Sequence, residues 1–209
     1  MKLKYFNIIF LLIFFVSCNN FNEIKNDVVS ISERSLLINN KKYFIKGICY
    51  HPVPKGSTER SFENIDIDLS LMVDAGINTI RVYEPIDDVK ILDKIEKAGL
   101  KIIIGFGYDQ NGYYDILSES YIDYVEKYKN HNSILFWELG NEYNYHPEWF
   151  ENDINNWYNA LNNAAGKIQE IDKSKPVSTA HGEIPDNLAI SSLENIDVWG
   201  LNIYRWDNP

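Results

Sequence analysis

Ile134-Leu135-Phe136-Trp137-Glu138-Leu139-Gly140-Asn141-Glu142-Tyr143 is the stretch of this chain that decides its fold. It is an apolar run that ends abruptly in a glycine, an asparagine and a carboxylate. An apolar run bounded in this way is typical of a strand that is buried on both faces. Such a strand predicts that Asn141 and Glu142 lie on rigid backbone at a cleft, which is where a general acid can be held.

Strands and helices alternate on both sides of this stretch. Helices are predicted over residues 66–75, 87–98 and 118–129 and from Pro147 to residue 171, and strands over 47–52, 78–83, 101–106, 176–180 and 196–204. Alternating units of this length predict a parallel sheet, either doubly wound or closed into a (β/α)8 barrel. No glycine-rich phosphate loop follows the first strand, which weakens the doubly wound nucleotide-binding alternative.

Two β-prone runs precede these units. Residues 35–38 and 42–46 flank a compact turn at 39–41, which predicts an N-terminal β-hairpin. The predicted fold class is therefore α/β, a (β/α)8 TIM barrel that is preceded by this hairpin and truncated after its sixth strand. A barrel usually takes roughly 250 residues, so the sequence is expected to be a fragment.

The first residues have the pattern of a secretory leader. Lys2 and Lys4 precede an apolar run over 8–16, and Cys18 follows the small Ser17. This arrangement resembles a bacterial lipobox, which implies a signal peptide over residues 1–17, diacylation of Cys18 and a tether over 18–30 before the barrel domain at 31–209. The expected location is the cell envelope, with a lipid anchor in the membrane. The alternative is an ordinary cleaved signal peptide with an incidental cysteine.

Composition excludes some classes of function. The net charge of −10 argues against a nucleic acid partner, whose phosphates repel such a surface. After the leader, Cys49 is the one remaining cysteine, so no disulfide framework is expected. The chain has 14 Tyr, 10 Phe and 5 Trp, which either fill the core or stack on sugar rings.

In a (β/α)8 barrel the active site lies at the carboxyl ends of the strands, so the residues after each apolar run are considered together. They are Tyr50 and His51; Arg81, Tyr83 and Glu84; Tyr108 and Asp109; Asn141, Glu142 and Tyr143; His181 and Glu183; and Tyr204, Arg205 and Trp206. Nearly all are polar or aromatic. A carbohydrate cleft needs this mixture of hydrogen-bonding groups, flat rings and carboxylates.

Three motifs and the entry segment at 46–52 carry a family resemblance. Residues 75–83 read AGINTIRVY, residues 137–142 read WELGNE and residues 199–204 read WGLNIY. Together they resemble the clan A glycoside hydrolases. They are most similar to the β-1,3-glucanosyltransferase group (glycoside hydrolase family 72) and to the barrel domain of family 2 enzymes.

The resemblance implies a role for each matching residue. Glu142 matches the general acid/base, and Asn141 matches the residue that hydrogen-bonds the sugar's 2-hydroxyl. Arg81 matches the arginine that keeps the nucleophilic carboxylate ionised, and Tyr204 matches a tyrosine that donates to that carboxylate. The remaining expected substrate-binding residues are His51, Tyr83, Trp206 and His181. Neither a metal nor a cofactor is implied.

Other interpretations of these residues stay open. In one, Glu142 is a loop carboxylate that caps the helix after Pro147. In another, Arg81 simply pairs with Glu84 or another acid at the rim. Tyr204 and Trp206 fit packing as well as binding. Glu138 competes as the acid, but its position inside the strand places it deeper than a substrate reaches.

The expected function of the whole protein is that of a retaining β-glycoside hydrolase or transglycosylase acting on a β-glucan-like polysaccharide. The resemblance places the nucleophilic Glu on a seventh strand, beyond residue 209, so this chain is expected to be catalytically incomplete. The alternative is a non-catalytic, glycan-binding surface lipoprotein with a degenerate barrel.

Overall fold

The computed structural model describes residues 26–108 and 114–204. Its strands are β1 (Val29–Ser32), β2 (Ser35–Ile38), β3 (Lys41–Lys42), β4 (Gly47–Cys49), β5 (Thr79–Val82), β6 (Lys101–Phe106), β7 (Ile134–Asn141), β8 (Val177–Gly182) and β9 (Val198–Asn202). Its helices are α1 (Ile65–Asp74), α2 (Val89–Lys97), α3 (Tyr121–Tyr128), α4 (Ile154–Ile171) and α5 (Asn187–Ser192). Two 3-10 helices, Tyr143–Tyr145 and Pro147–Phe150, lie between β7 and α4.

The main sheet contains six parallel strands in the order β4-β5-β6-β7-β8-β9, so each strand pairs with the next one along the chain. The sheet curls into a half-barrel. This arrangement confirms the α/β class and is consistent with a truncated (β/α)8 barrel. All six strands end at the same edge, which brings the residues after them together.

The expected N-terminal hairpin is part of a larger sheet. β2 and β3 pair as predicted, and the turn between them has left-handed backbone at Asn39 (φ 51) and Asn40 (φ 63), as tight hairpin turns require. β1 also pairs with β2, antiparallel, and makes a three-stranded sheet. The expected tether over residues 18–30 therefore extends two residues into a strand, because Val29 and Ser30 belong to β1.

The small sheet packs against one end of the half-barrel. Val29 forms a buried apolar cluster with Ile103, Leu135 and Phe136. The Val29 amide also donates a hydrogen bond of 2.8 Å to the Ser174 carbonyl. Ile103, Leu135 and Phe136 lie in the first halves of their strands, so this packing leaves the carboxyl ends of the strands free for a cleft.

Between the sheet and its helices lies a core rich in aromatic residues. Trp137 of β7 is fully buried, and its ring centroid lies 6.0 Å from that of Phe106 and 6.2 Å from that of Tyr124. Its indole N–H donates to Asp172 at 2.8 Å, and the Tyr124 hydroxyl donates to the Ile86 carbonyl at 2.8 Å. Because both polar tips have partners, the rings stay buried without an unpaired donor.

The helix expected to start at Pro147 begins later. Pro147 instead opens the second 3-10 helix, and left-handed backbone at Glu151 and Asn152 (φ 59 at each) separates that turn from α4. α4 starts at Ile154, where the Asp153 carboxylate accepts a hydrogen bond from the Asn155 amide at 3.0 Å. Apolar residues that recur along the sequence at steps of three and four form one stripe on α4, with these members buried: Trp157, Leu161, Ala164 and Ile168.

The short helix α5 was not predicted from the sequence. Within residues 26–108 and 114–204, no helix is both long and apolar enough to cross a bilayer.

Candidate active site

The end of β7 turns sharply into the cleft. Gly140 has φ +73, and a Cβ placed there lies only 2.5 Å from the Trp157 ring, so no other residue fits without displacement. Two residues later, Glu142 also adopts left-handed backbone (φ 57), although it carries a side chain. Strain of this kind costs about 1 to 3 kcal/mol and persists where the surrounding structure enforces it. Here the Glu142 amide donates to the Ala180 carbonyl of β8 at 2.7 Å.

The carboxylate of Glu142 is partly buried, but one of its oxygens makes no hydrogen bond with the described residues. Its Oε1 atom is buried and has no hydrogen-bond partner among the described residues. The side chain makes no capping hydrogen bond to the 3-10 helix that follows, so the structure gives no support to the capping interpretation. A buried carboxylate oxygen without a partner is unusual, and it leaves the group able to exchange a proton with a ligand.

Arg81 of β5 links two residues of β7. Its Nε and Nη2 atoms both lie 2.6 Å from Glu138 Oε1, and Nη2 donates to Asn141 Oδ1 at 2.9 Å. Asn202 of β9 donates to the same oxygen at 3.3 Å. Because Oδ1 already accepts from two donors, the amide of Asn141 is oriented to present its N–H groups to a ligand.

The Arg81 and Glu138 side chains form a buried ion pair. Burial raises the pKa of the Glu138 carboxyl, and the positive charge of Arg81 opposes that shift. Burial lowers the pKa of the Arg81 guanidinium, but the negative charge of Glu138 outweighs this effect and raises it. An arginine keeps its proton in proteins, and its charge favours the ionised form of Glu138. The pair is therefore ionised near neutral pH, although burial brings the pKa of the Glu138 carboxyl closer to neutrality.

Tyr83 and Cys49 lie beside Arg81, and Tyr83 lines the cleft. The Arg81 guanidinium lies 4.7 Å from the centre of the Tyr83 ring, and its Nη1 atom lies 3.8 Å from Cys49 Sγ. A hydrogen bond with Cys49 raises the pKa of the Tyr83 phenol. The alternative in which Arg81 pairs with an acid is seen with Glu138, whereas Glu84 Oε2 lies 3.9 Å from Arg60 Nη2.

A cavity of about 350 Å³ lies at this edge of the sheet. It brings together four of the predicted site residues: Arg81, Tyr83, Asn141 and Glu142. Glu138, His146 and Trp149 also line it. The last two were not predicted as site residues, although the density of aromatic residues between Tyr143 and Phe150 is a signal that identifies this loop as a candidate wall.

Two predicted binding residues lie outside this cavity. His51 lines a separate cavity of about 470 Å³ beside Tyr50 and Asp68. His181 is buried and lines another cavity of about 480 Å³. Its Nδ1 atom lies 3.1 Å from the Glu183 carbonyl oxygen, at hydrogen-bond distance, and its ring packs against that of Trp199. Their expected roles in substrate binding stay predictions.

The remaining predicted site residues are at the chain ends. Tyr204 is 74% exposed at the end of the described range. Trp206 and Cys18 lie outside the described residues, so their roles stay predictions. Among the residues that the structure describes, no group of three or more His, Cys, Asp or Glu side chains has the geometry of a metal site.

Comparison with known proteins places this geometry in a family. The family model described as "Glycosyl hydrolases family 2, TIM barrel domain" matches residues 29–204. A β-galactosidase from Lactococcus lactis subsp. lactis (strain IL1403) is 25% identical over 194 residues, which are 87% of this chain and 18% of that protein.

Solved structures agree in fold. A glycosyl hydrolase family 2 member from Bacteroides cellulosilyticus DSM 14838 superimposes with a TM-score of 0.67 at 20% identity, over 84% of this chain and 24% of that one. A β-glucuronidase 2 from Bacteroides uniformis, covalently bound to cyclophellitol-6-carboxylate aziridine, gives a TM-score of 0.63 at 22% identity, over 82% and 22% of the two chains.

This chain therefore spans about a fifth to a quarter of the length of the relatives described above. The expected likeness to the β-1,3-glucanosyltransferase group stays a prediction, whereas the expected likeness to family 2 is confirmed. Because the family model covers residues 29–204, the chain belongs to the glycosyl hydrolases of family 2 and contains their TIM barrel domain.

Proposed function

We propose that the protein containing this chain is a retaining β-glycosidase and that this chain supplies its general acid/base, Glu142. The observation that carries the proposal is the buried Oε1 atom of Glu142, which has no partner among the described residues and stands at a strained corner beside the cleft. A carboxyl group held in this way is available to a substrate rather than to the fold.

In the proposed reaction Glu142 gives its proton to the glycosidic oxygen as the bond to the anomeric carbon breaks. A second carboxylate, roughly 5 to 5.5 Å away, attacks that carbon and forms a covalent intermediate. Glu142 then takes a proton from the incoming water or acceptor sugar. The Asn141 amide donates to the hydroxyl next to the reacting carbon, and Arg81 fixes its orientation. The second carboxylate is expected on a strand beyond Pro209.

We further propose that the substrate is a neutral, β-glucan-like oligo- or polysaccharide. Among the described residues that line the cleft, Arg81 is the one cation, and its donors are already directed at Glu138 and Asn141. Glu138 is paired with Arg81 and Glu84 adds a further carboxylate, so the described lining offers a sugar carboxylate no lysine or arginine that is not already engaged. Transfer to a sugar acceptor, in place of hydrolysis, uses the same Glu142 chemistry and is distinguished by product analysis.

Replacing Glu142 by glutamine tests the assignment, because glutamine keeps the shape and loses the proton. We expect Glu142→Gln to lower kcat/KM, which reports the bond-cleaving step, for a phenyl β-glycoside by roughly 10²- to 10⁴-fold. The loss should be much smaller for a dinitrophenyl glycoside, whose leaving group needs no proton. The matched control is Glu151→Gln, at an exposed acid with the same left-handed backbone.

Equal turnover of the phenyl glycoside by wild type and Glu142→Gln would overturn the assignment. A second outcome would favour the non-catalytic glycan-binding alternative. In it, the wild-type protein binds an oligosaccharide but cleaves none of a panel of laminari-, cello- and manno-oligosaccharides, β-galactosides and β-glucuronides.

We also propose that the mature protein is anchored in the bacterial cell envelope by a lipid on Cys18. The support is the leader-like sequence that ends in Ser17-Cys18. Labelling cells with a radioactive or clickable fatty acid should mark the wild-type protein and leave Cys18→Ala unlabelled. Equal labelling of the two would rule out this site of attachment.

A further inference from the structure

Aromatic side chains continue the cleft away from its catalytic corner. Trp149 and Tyr143 line the cavity of about 350 Å³ that contains Glu142. The same two side chains line a neighbouring cavity of about 590 Å³, together with Tyr108 and Leu117 in its described part. The two cavities therefore adjoin along Trp149 and Tyr143, and a ligand longer than one sugar has a path from one to the other.

Trp149 is held in place although it is exposed. Its ring is stacked on that of His146, with centroids 4.0 Å apart and an interplanar angle of 7°. Tyr143 meets it edge to face, at 5.3 Å and 81°. His146 is fixed in turn by Glu148, whose Oε1 atom lies 2.8 Å from the imidazole Nδ1.

Trp149 is exposed when the described residues are considered. Its side chain is 53% exposed, although a tryptophan normally buries most of its large surface. An exposed, rigid aromatic ring at the rim of a polar cleft offers contact area with little loss of conformational entropy on binding. The apolar face of a β-linked neutral sugar, which carries axial C–H groups, fits such a ring.

We propose that Trp149, supported by His146, is a stacking platform for a sugar on the leaving-group side of the cleaved bond. The proposal rests on the proposed function of Glu142. A general acid lies beside the oxygen of the leaving group, and Trp149 lines the same cleft as Glu142 on the loop that follows it. The platform therefore recognises oligosaccharides that extend past the cleaved bond.

Binding tests the platform without turnover. Laminaritetraose and cellotetraose are titrated calorimetrically into the full-length protein carrying Glu142→Gln, with and without a change at Trp149. We expect Trp149→Ala to weaken binding of the preferred tetrasaccharide roughly tenfold, and Trp149→Phe, which keeps a flat ring, to weaken it less. Phe44→Ala is the control, because Phe44 is 80% exposed and lies before β4, at the other end of the sheet from the cleft. Unchanged affinity in both Trp149 variants would overturn the proposal.

Kinetic measurements on proteins that keep Glu142 test whether Trp149 lies on the leaving-group side of the cleaved bond. The two substrates are the preferred tetrasaccharide and the glycosyl fluoride of the same sugar, which has no sugar in its leaving group. We expect Trp149→Ala to lower the ratio of kcat/KM for the tetrasaccharide to kcat/KM for the fluoride about tenfold. An unchanged ratio would overturn the placement on the leaving-group side. If the wild type cleaves neither substrate but Trp149→Ala still loses binding, the proposed catalysis and the placement on the leaving-group side both fail, and only the stacking of a sugar on Trp149 stands.

Discussion

Arg81 and Asn141 are joined by a hydrogen bond of 2.9 Å from Nη2 to Oδ1, and this contact links a buried charge to the end of β7 beside Glu142. The same guanidinium is paired with Glu138, which is 5% exposed and lies three residues before Asn141 on β7. The ion pair therefore fixes the position of Arg81, and Arg81 fixes the amide of Asn141. If Asn141 binds the sugar as proposed, Arg81 serves both the stability of the fold and substrate binding, and substitutions can separate the two.

Removing one partner of this pair should be costly to the fold. Arg81→Met leaves the Glu138 carboxylate buried without a counter-charge, and we expect a loss of about 3 to 5 kcal/mol in the free energy of unfolding. The double variant Arg81→Met/Glu138→Leu removes both charges, and its stability should return to within about 1 to 2 kcal/mol of the wild type. Urea unfolding of the wild type and the two variants measures both values.

Activity should not return with stability in the double variant. Without Arg81 the Asn141 amide loses its main donor, so kcat/KM should stay low in a protein that folds well. Recovery of both stability and activity would contradict a positioning role for Arg81. A double variant no more stable than Arg81→Met alone would show that the ion pair is not the cause of the instability.

Replacing Gly140 should destabilise the fold through both its backbone and its packing. Gly140→Ala meets two obstacles, the left-handed backbone (φ +73) and the Trp157 ring 2.5 Å from the new Cβ. We expect it to destabilise the fold by about 2 to 4 kcal/mol, as overpacking adds to strain. Gly76→Ala is the matched control, because Gly76 has φ +78 and nothing within 4 Å of its Cβ.

The control should therefore cost only the backbone strain, about 1 to 2 kcal/mol. Thermal unfolding followed by circular dichroism gives both values. Equal losses at the two glycines would show that Trp157 moves aside without cost.

Acid should weaken the attachment of the small sheet through Asp27. Partial burial tends to raise the pKa of this carboxyl, but hydrogen bonds from Lys101 and Asn39, at 2.6 Å each, together lower it. A folded-state pKa below the unfolded value means that the contribution to stability is present above about pH 4 and is lost as the pH falls through the folded value.

The free energy of unfolding of the wild type should fall between about pH 5 and about pH 2, the range in which carboxyl groups titrate. Asp27→Asn should make this fall less steep. Lys101→Gln should flatten it as well, because it removes the cation that lowers the pKa of Asp27. Urea unfolding at several pH values measures the slope. An acid slope that neither substitution alters would exclude the Asp27–Lys101 pair as its source.

The charge of the cleft predicts which sugars are accepted. Arg81 is already bonded to Glu138 and Asn141, so it offers little to a uronic acid. We expect kcat/KM for a neutral β-glucoside or β-galactoside to exceed that for the matching β-glucuronide by roughly tenfold or more, equivalent to about 1.4 kcal/mol of discrimination. Nitrophenyl glycosides with one leaving group and varied sugars make the comparison. Faster cleavage of the glucuronide would show that a cation outside the described residues serves the substrate.

Much of the barrel could be predicted because each unit repeats a local pattern. The apolar run of β7 and the periodic stripe of α4 each identify a buried face without reference to the rest of the chain. Element ends were less certain. Glu151 and Asn152 delay α4, since left-handed backbone at non-glycine residues leaves no clear sequence signal. The first two residues of β1, Val29 and Ser30, were assigned to a tether because the pairing of β1 with β2 becomes visible only in three dimensions.

By itself the sequence determined the order of strands and helices, the position of Gly140-Asn141-Glu142 at the end of a buried strand, and the placing of Arg81 and Tyr83 beside it. The tertiary structure decided which polar side chains pair with one another and which residues line the cleft. It directed Arg81 to Glu138 and away from Glu84, moved His51 and His181 into other cavities, and brought Trp149 to the cleft. The physical reason is that strand order and burial follow from local hydrophobic periodicity. Which polar groups meet depends on the register and curvature of neighbouring strands and on the loop path, and these are set by packing across the whole sheet.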